Sequence, residues 1–356
     1  MQYIVAIDIY SSIYFTDWDE IMEIRKVQVT GGSSYTISLP KSWVKSLNIK
    51  KNDSLGMIIQ PDMTLLITPN IDKKEVHRKI EFNADHFSEP EHLFRCLIGA
   101  YISGYTIIRI KSNKSIPPAV RAAVRKFTRQ AIGQEVVEET PTSITIKDIL
   151  NPEEMPFENS IKRMYVIVRS MHRDVINALK NRDRSLAEDV IARDDEVDRL
   201  HWLIARQQNI ISKDLSLAQR MGIAMGAGTN YFLISKIIER IGDHAVRIAR
   251  NVVDLIDKDL DEKIVHALEV ASNLALEMFD KSIRSFFEED LETVNKNIES
   301  LSRLASRCRD IDTLILQHEG GVAISVSQIV ESIKRTGEYS ADLSEYAINY
   351  LIEKHV

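Results

Sequence analysis

Glu239-Arg-Ile-Gly-Asp-His-Ala-Val-Arg-Ile-Ala-Arg-Asn-Val-Val-Asp-Leu255 is the stretch whose reading decides the fold. Its apolar positions Ile241, Ala245, Ile248, Val252 and Leu255 keep a 4-3-4-3 spacing, the seam of a helix packed among antiparallel helices. Upstream, Leu186, Val190, Val197, Leu200 and Ile204 mark a second seam, interrupted by Arg193. Proline is absent from Phe157 to Val356, so this whole part reads as helical.

Both runs carry acids at i and i+4, which stack on one helix face. The pairs are Asp194 with Asp198, and Glu239 with Asp243. Like charges so placed repel unless a cation stands between them. Glu239 and Asp243 each precede a seam residue by two positions, a rotation of about 200°, so they point away from the seam. Asp194, Asp198 and His201 form a stripe at i, i+4 and i+7 beside the other seam. The acids are therefore expected on the bundle surface. If the two helices are neighbours, four carboxylates converge, an oxygen-donor set suited to Mg²⁺, Ca²⁺, Mn²⁺ or iron. The alternative is a solvated face in which Arg193, Arg199 and Arg240 each neutralise an acid. His201 alone reads as a surface or boundary histidine.

An internal repeat is present. Met171–Ile191 resembles Met278–Ile298 at an offset of 107, with Asp183 matching Asp290. Glu239–Leu255 resembles Lys334–Tyr350 at an offset of 95, through Arg240/Arg335, Gly242/Gly337 and Asp243/Glu338. Two copies of a three-helix unit follow, the second shorter by about a dozen residues. Lys334 stands where Glu239 stands in the first copy. An ammonium group there repels a cation, so only the first copy is expected to hold one.

The other end of the chain has a different pattern. Residues 22–70 read as strand, turn, strand, short helix and a further pair of strands. Gly31-Gly32-Ser33-Ser34 is a turn signal, Tyr35–Leu39 is β-rich, and Pro40 opens a short helix. Ser54–Ile59 and Thr64–Thr68 form a hairpin across Gln60-Pro61-Asp62-Met63. So small a module buries little surface alone and is expected to dimerise. Residues 1–21 read as an extension. Residues 71–152 read as a connecting α/β unit: strands Val76–Phe82 and Tyr105–Ile110, helices Pro90–Gly104 and Pro117–Ile132, then strands Gln134–Glu139 and Ser143–Ile146. The helical repeats fill 153–258 and 259–356. The expected fold is thus mixed and multi-domain.

The 356 residues are 28% charged and 44% apolar, the composition of a globular protein. Net charge is −6, which excludes a protein basic throughout. Yet residues 22–56 hold six Lys/Arg against two acids, a local footprint for a polyanion. Cys96 and Cys308 are the two cysteines, too few for a disulfide framework and pointing to a reducing cytoplasm. No apolar run approaches a membrane span, so no membrane insertion is expected.

On the two acidic runs and the repeated three-helix unit, residues 155–356 resemble the PhoU family of phosphate-uptake regulators. The resemblance implies two tandem three-helix bundles. It also implies that Asp194, Asp198, Glu239 and Asp243 are ligands of a multinuclear iron or zinc cluster on the bundle surface. Residues 24–69 resemble the AbrB/SpoVT/MazE swapped-hairpin DNA-binding family. The matching text is Lys26-Val-Gln-Val-Thr-Gly-Gly-Ser-Ser-Tyr-Thr-Ile-Ser-Leu-Pro-Lys41, Leu47-Asn-Ile-Lys-Lys-Asn-Asp53 and Leu65-Leu-Ile-Thr-Pro69. That family usually has Gly-Asp where Asn52-Asp53 stands and Asp-Gly where Asp62-Met63 stands. Ser38 occupies a place where some members carry a basic residue. The fused architecture is similar to archaeal PhoU-like proteins. DNA contacts are expected from Arg25, Lys26, Lys41 and Lys45, with Ser33, Ser34 and Tyr35 in the turn between, doubled by a two-fold dimer.

These resemblances imply a DNA-binding regulator of phosphate homeostasis with a metal-binding helical sensor. The alternative is a signalling adaptor that binds a phosphate transporter or kinase and uses the N-terminal barrel only to dimerise. An enzyme is not expected. No Gly-rich phosphate loop or nucleophile set is present, and Asp198-Arg-Leu-His201 is the nearest spacing to a carboxylate-bridged metalloenzyme.

Overall fold

A computed structural model describes residues 23–60, 63–69, 78–223, 226–316, 318 and 320–355. The expected extension 1–21, the Pro61-Asp62 centre of the second hairpin turn and the Val76 start of an expected strand lie outside them. The chain divides into two compact units, Met1–Val76 and His77–Val356.

In the first unit, β1 (Gln28–Thr30) pairs antiparallel with β2 (Ser34–Thr36), Val29 opposite Tyr35. The turn uses Gly31 and Gly32 at φ of +65° and +83°, a region that glycine enters without steric penalty. After Pro40 comes α1 (Lys41–Ser46), then β3 (Gly56–Ile59) paired antiparallel with β4 (Leu65–Thr68). The two places where the swapped-hairpin resemblance expects glycine are both left-handed here. Asn52 has φ +74° and Met63 φ +64°. Asn tolerates that region; Met63 adopts it at roughly 1–2 kcal/mol. None of the described residues of this unit is buried. Tyr35 is 78% exposed and Ile59 71%. The described residues of this unit thus supply two hairpins and no core of their own.

The second unit begins with β5 (Lys79–Asn83), α2 (Pro90–Ile102), β6 (Ile107–Lys111), α3 (Pro118–Gln130), β7 (Gln134–Glu139) and β8 (Ser143–Asp148). The sheet order is β5-β6-β8-β7, with β5 parallel to β6 and the other pairs antiparallel. Alternation places Ile108, Ile110, Ile144 and Ile146 on one face, against Leu93, Leu97, Val124 and Phe127 of the helices. Arg109 and Lys111 alternate to the exposed side.

The remainder is α4 (Phe157–Asn181), α5 (Arg184–Ala192), α6 (Asp194–Ile211), α7 (Leu215–Arg220), α8 (Ala227–Leu255), α9 (Glu262–Glu288), α10 (Leu291–Glu299), α11 (Leu301–Ile315) and α12 (Gly320–His355). The repeat is visible in detail. Arg182 and Glu289 end α4 and α9 in left-handed conformation. The next residue caps the following helix: Asp183 accepts from the Leu186 amide at 3.0 Å and Asp290 from the Thr293 amide at 3.1 Å. The middle helix of each copy is broken, at Arg193 and at Ser300. The interruption that Arg193 makes in the seam is therefore a real break. Its guanidinium turns to Asp174 at 2.9 Å and Asp189 at 2.7 Å. The length difference between the copies lies in the connection from middle to last helix. That connection carries α7 in the first copy and spans only 316–319 in the second.

Gly242 and Gly337 mark the same close crossing in both copies. A Cβ on Gly242 would stand 3.3 Å from Val168 Cγ2 of α4 and 3.5 Å, an ordinary contact, from Val197 Cγ1; one on Gly337 would overlap Leu304 Cδ2. Val197 and Leu304 are themselves 107 residues apart.

Helix α6 also fastens the sheet to the bundle. Arg199 Nε donates to the Gln130 carbonyl at 3.0 Å, and Trp202 packs on the α/β core. Arg206, 2% exposed, pairs with Asp148, donates to the carbonyls of Tyr101 and Tyr105, and lies 4.8 Å over the Tyr101 ring. Removing one partner of a buried ion pair leaves the other charge uncompensated. Arg206→Ala is expected to destabilise by about 3–5 kcal/mol, read by urea unfolding. A loss within the range of an exposed substitution would show that the bracket bears little.

Candidate functional site

The break before Asp194 starts α6 afresh, so Asp194, Asp198 and His201 run along one stripe from its first turn. The close crossing at Gly242 brings that stripe against α8, which carries Glu239 and Asp243. Asp194 Oδ1 lies within 3.8 Å of the position a Cβ on Gly242 would take. A Cβ there would meet the acid at ordinary contact distance and be crowded by Val168 of α4.

The four carboxylates share one electrostatic environment. Burial holds Asp198 up to about 7, with Asp194, Glu239 and Asp243 adding repulsion in that order. Burial likewise holds Asp194 up to about 6, reinforced by Asp243 and Glu239. Asp243 is raised by partial burial and then by Glu239. Asp194 Oδ1 is fully buried without a hydrogen-bond partner. The four carboxylates act on one another across α6 and α8; Asp194, Asp198 and Glu239 are half-buried, while Asp243 is exposed.

The arginines that could have neutralised these acids face elsewhere. Arg193 binds Asp174 and Asp189, Arg199 binds the Gln130 carbonyl, and Arg240 lies 5.8 Å from the Tyr339 ring centre. Among the described residues, Lys236 Nζ to Glu239 at 2.8 Å is the one ion pair to any of the four. Sequence reasoning does not single out Lys236, although its i, i+3 spacing to Glu239 is the available signal. His201 corrects its surface reading. It is 7% exposed, bonds Ser235 Oγ through Nδ1 at 2.9 Å and stacks on Phe232. Its spacing from Asp198 is shared by residues facing the core, which periodicity alone does not separate.

The donors fit a hard cation in type: four oxygen-bearing side chains, largely unneutralised, with one buried orphan oxygen. Among the described residues, however, no three His, Cys, Asp or Glu side chains stand at mutual metal-holding distance. The cluster is a pool of negative potential and not a closed coordination shell.

The second copy has lost this chemistry. Leu301 and Ala305 take the places of Asp194 and Asp198. Lys334 reaches Glu338 at 3.7 Å, and Arg335 bonds both Glu331 and Glu338 at 2.8 Å. The surviving acid is neutralised by its own helix.

In the N-terminal unit, Arg25 pairs with Glu23. Lys26 stands before β1, and Lys41 and Lys45 share a face of α1. These three lysines are exposed and have no ion pair among the described residues. Ser33 lies in the turn; Ser34 and Tyr35 lie on β2, and all three are exposed.

Comparison with known proteins covers both parts. Residues 161–252 match the PhoU domain, a span that includes all four acids. Residues 28–75 match the family described as antidote-toxin recognition MazE, bacterial antitoxin. The phosphate-specific transport system accessory protein PhoU homolog of Clostridium acetobutylicum is 24% identical over 222 residues, covering 56% of this chain and 92% of that protein. PhoU homolog 2 of Thermotoga maritima is 24% identical over 215 residues, covering 58% and 88%. The crystal structure of the phosphate transport system regulatory protein PhoU from Streptococcus pneumoniae is 18% identical, with a TM-score of 0.48 over 55% of this chain and 92% of its own. No helix among the described residues is long and apolar enough to cross a membrane.

The acid cluster has a pH signature. In chelated buffer the folded carboxyls of Asp194 and Asp198 hold protons that the unfolded chain releases near 3.8. Their contribution is fully present below that value and is lost as pH rises through about 6 and 7. His172, His201 and His244 act oppositely: burial keeps them neutral down to about 4, so acidification through 6.5 destabilises the fold. The difference between wild type and Asp194→Asn with Asp198→Asn isolates the pair. The double variant is expected to gain stability relative to wild type between pH 5 and 8, by on the order of 1 kcal/mol after solvent screening. Guanidinium unfolding at four pH values measures it, and parallel curves would refute the coupling.

Proposed function

For a PhoU-like chain that carries a MazE-type module at its N-terminus, we propose a DNA-binding regulator of phosphate uptake and phosphate homeostasis, with a cation-binding helical sensor. The observation that carries this reading is the hairpin unit, in which none of the described residues is buried and Lys26, Lys41 and Lys45 are exposed, without an ion pair among the described residues. Apolar side chains such as Val29, Met57 and Ile59 need a cover. A second copy of the same hairpins supplies one with two-fold symmetry. Such a dimer doubles each lysine and suits a two-fold DNA site, where cations meet phosphates and turn residues reach bases.

In the helical unit, Asp194, Asp198, Glu239 and Asp243 are the residues that would hold iron, zinc, magnesium or manganese. A bound cation supplies the positive charge that lets these groups stay ionised side by side. The chain's own part is to bring them together across α6 and α8 and to turn Arg193, Arg199 and Arg240 to other partners, with Arg247 and Arg250 offsetting their charge only from a distance. Phosphate control is supported by the relatives, which are named as accessory proteins of phosphate-specific transport systems. The same naming favours a second reading, an adaptor for a phosphate transporter in which the hairpin unit only dimerises; a kinase is the other partner such an adaptor could serve.

Two measurements separate and test these readings. Mobility of duplex DNA is expected to shift with the purified chain, to weaken steeply with salt, and to be restored to free mobility by Lys26→Glu with Lys41→Glu. A chain that never shifts DNA at low salt supports the adaptor. Elemental analysis of the purified chain is expected to find a bound transition metal or Mg²⁺, lost in Glu239→Ala with Asp243→Ala. Wild-type protein equally free of metal would remove the sensor.

A further inference from the structure

A second group of charged side chains lies where the two repeats meet. Arg240, His244 and Arg247 fall at i, i+4 and i+7 on α8, so they form a stripe. Across from them stands Tyr339 of α12. His244 and Tyr339 have ring centres 5.7 Å apart, and the Arg240 guanidinium lies 5.8 Å from the Tyr339 ring. Together with Asp243 these residues line a cavity of about 390 Å³.

The lining is matched to an anion. It carries two guanidinium groups against one carboxylate. Neither arginine makes an ion pair among the described residues, although Asp342 lies within electrostatic reach of Arg240 and Asp243 within reach of Arg247. His244 Nδ1 is fully buried and lacks a hydrogen-bond partner. Glu331 and Arg335 also act on His244, but they are engaged with each other at 2.8 Å. Buried polar atoms in folded proteins find partners in the great majority of cases. An orphan ring nitrogen between two unpaired guanidiniums marks a place where a ligand completes the hydrogen bonding.

We propose that the cavity between α8 and α12 binds a phosphate or phosphoryl group, held by Arg240 and Arg247 with His244 and Tyr339 as further polar contacts. A guanidinium presents paired donors in a plane and binds tetrahedral oxyanions through two parallel bonds. Two of them match a doubly charged group. The volume suits a small ligand.

Asp243 has a double position. It lines this cavity and belongs to the acid cluster on the other side of α8. Its free carboxylate opposes an anion. Neutralising it strengthens the site, and a cation held by the cluster has the same sign of effect. By linkage, the anion then strengthens the cation to the same factor. The cavity itself stands without the cation.

Calorimetric titration of the full chain in chelator-treated buffer tests the site apart from any metal. Inorganic phosphate is the probe in one arm and adenosine monophosphate in the other. Saturable binding at one site per chain is expected in at least one arm. It should weaken by about tenfold or more in Arg240→Gln with Arg247→Gln, both exposed positions, and tighten several-fold in Asp243→Asn. Phosphate binding without the nucleotide assigns the site to free phosphate; the reverse assigns it to the phosphoryl group of a larger molecule. If the double variant unfolds, Arg247→Lys replaces it, with a smaller loss in the same direction. Absence of saturable binding in both arms, or binding indifferent to the arginines and to Asp243, overturns the proposal.

Discussion

Repulsion between carboxylates is the constraint on which the helical unit turns. Apolar packing along α4, α6 and α8 fixes how closely the middle and last helices approach, and Gly242 leaves room for Val168 of α4 against α8. The acids have no say in it. They are carried together by the seam beneath them, and two of them, Asp194 and Asp198, hold protons well above the ordinary carboxylate range because burial and the neighbouring acids disfavour their charge. Stability given up there is the mark of a place arranged for something other than stability.

The second repeat is an internal control for that interpretation. It keeps the capping aspartate, the left-handed residue before it, the break in the middle helix and the close-packed glycine. It discards the acids of the middle helix and places Lys334 on the last. The architecture therefore does not require the carboxylates. Both copies fold by the same packing, and one alone bears the charge.

Much of this was legible in the residues. The 4-3-4-3 seam, the offsets of 107 and 95, the interruption at Arg193 and the pairing of acids along each helix all follow from spacing; that the interruption breaks the helix, and that the two helices are neighbours, did not. The glycine expectation at Asn52 and Met63 was met by backbone conformation, though the side chains differ. What spacing did not show was how far each helix face is enclosed. His201 looked peripheral because periodicity gives direction around one helix and says nothing of a neighbour such as Phe232. The destination of each arginine was equally hidden. Arg199 and Arg240 reach partners far along the chain, and Arg193 reaches Asp174 as well as Asp189 four residues before it; all but the Asp189 contact depend on tertiary placement.

Helix α6 serves two masters. Its first turns carry Asp194 and Asp198, and its later turns carry Trp202 and Arg206, locked into the sheet of the α/β section through Asp148. Eight residues of helix separate Asp198 from Arg206, about 12 Å of stiff rod. A strut of that kind cannot shift at one end and stay still at the other. Whatever load the acidic end takes up arrives as strain on strand β8, so the sheet is mechanically in series with the acids.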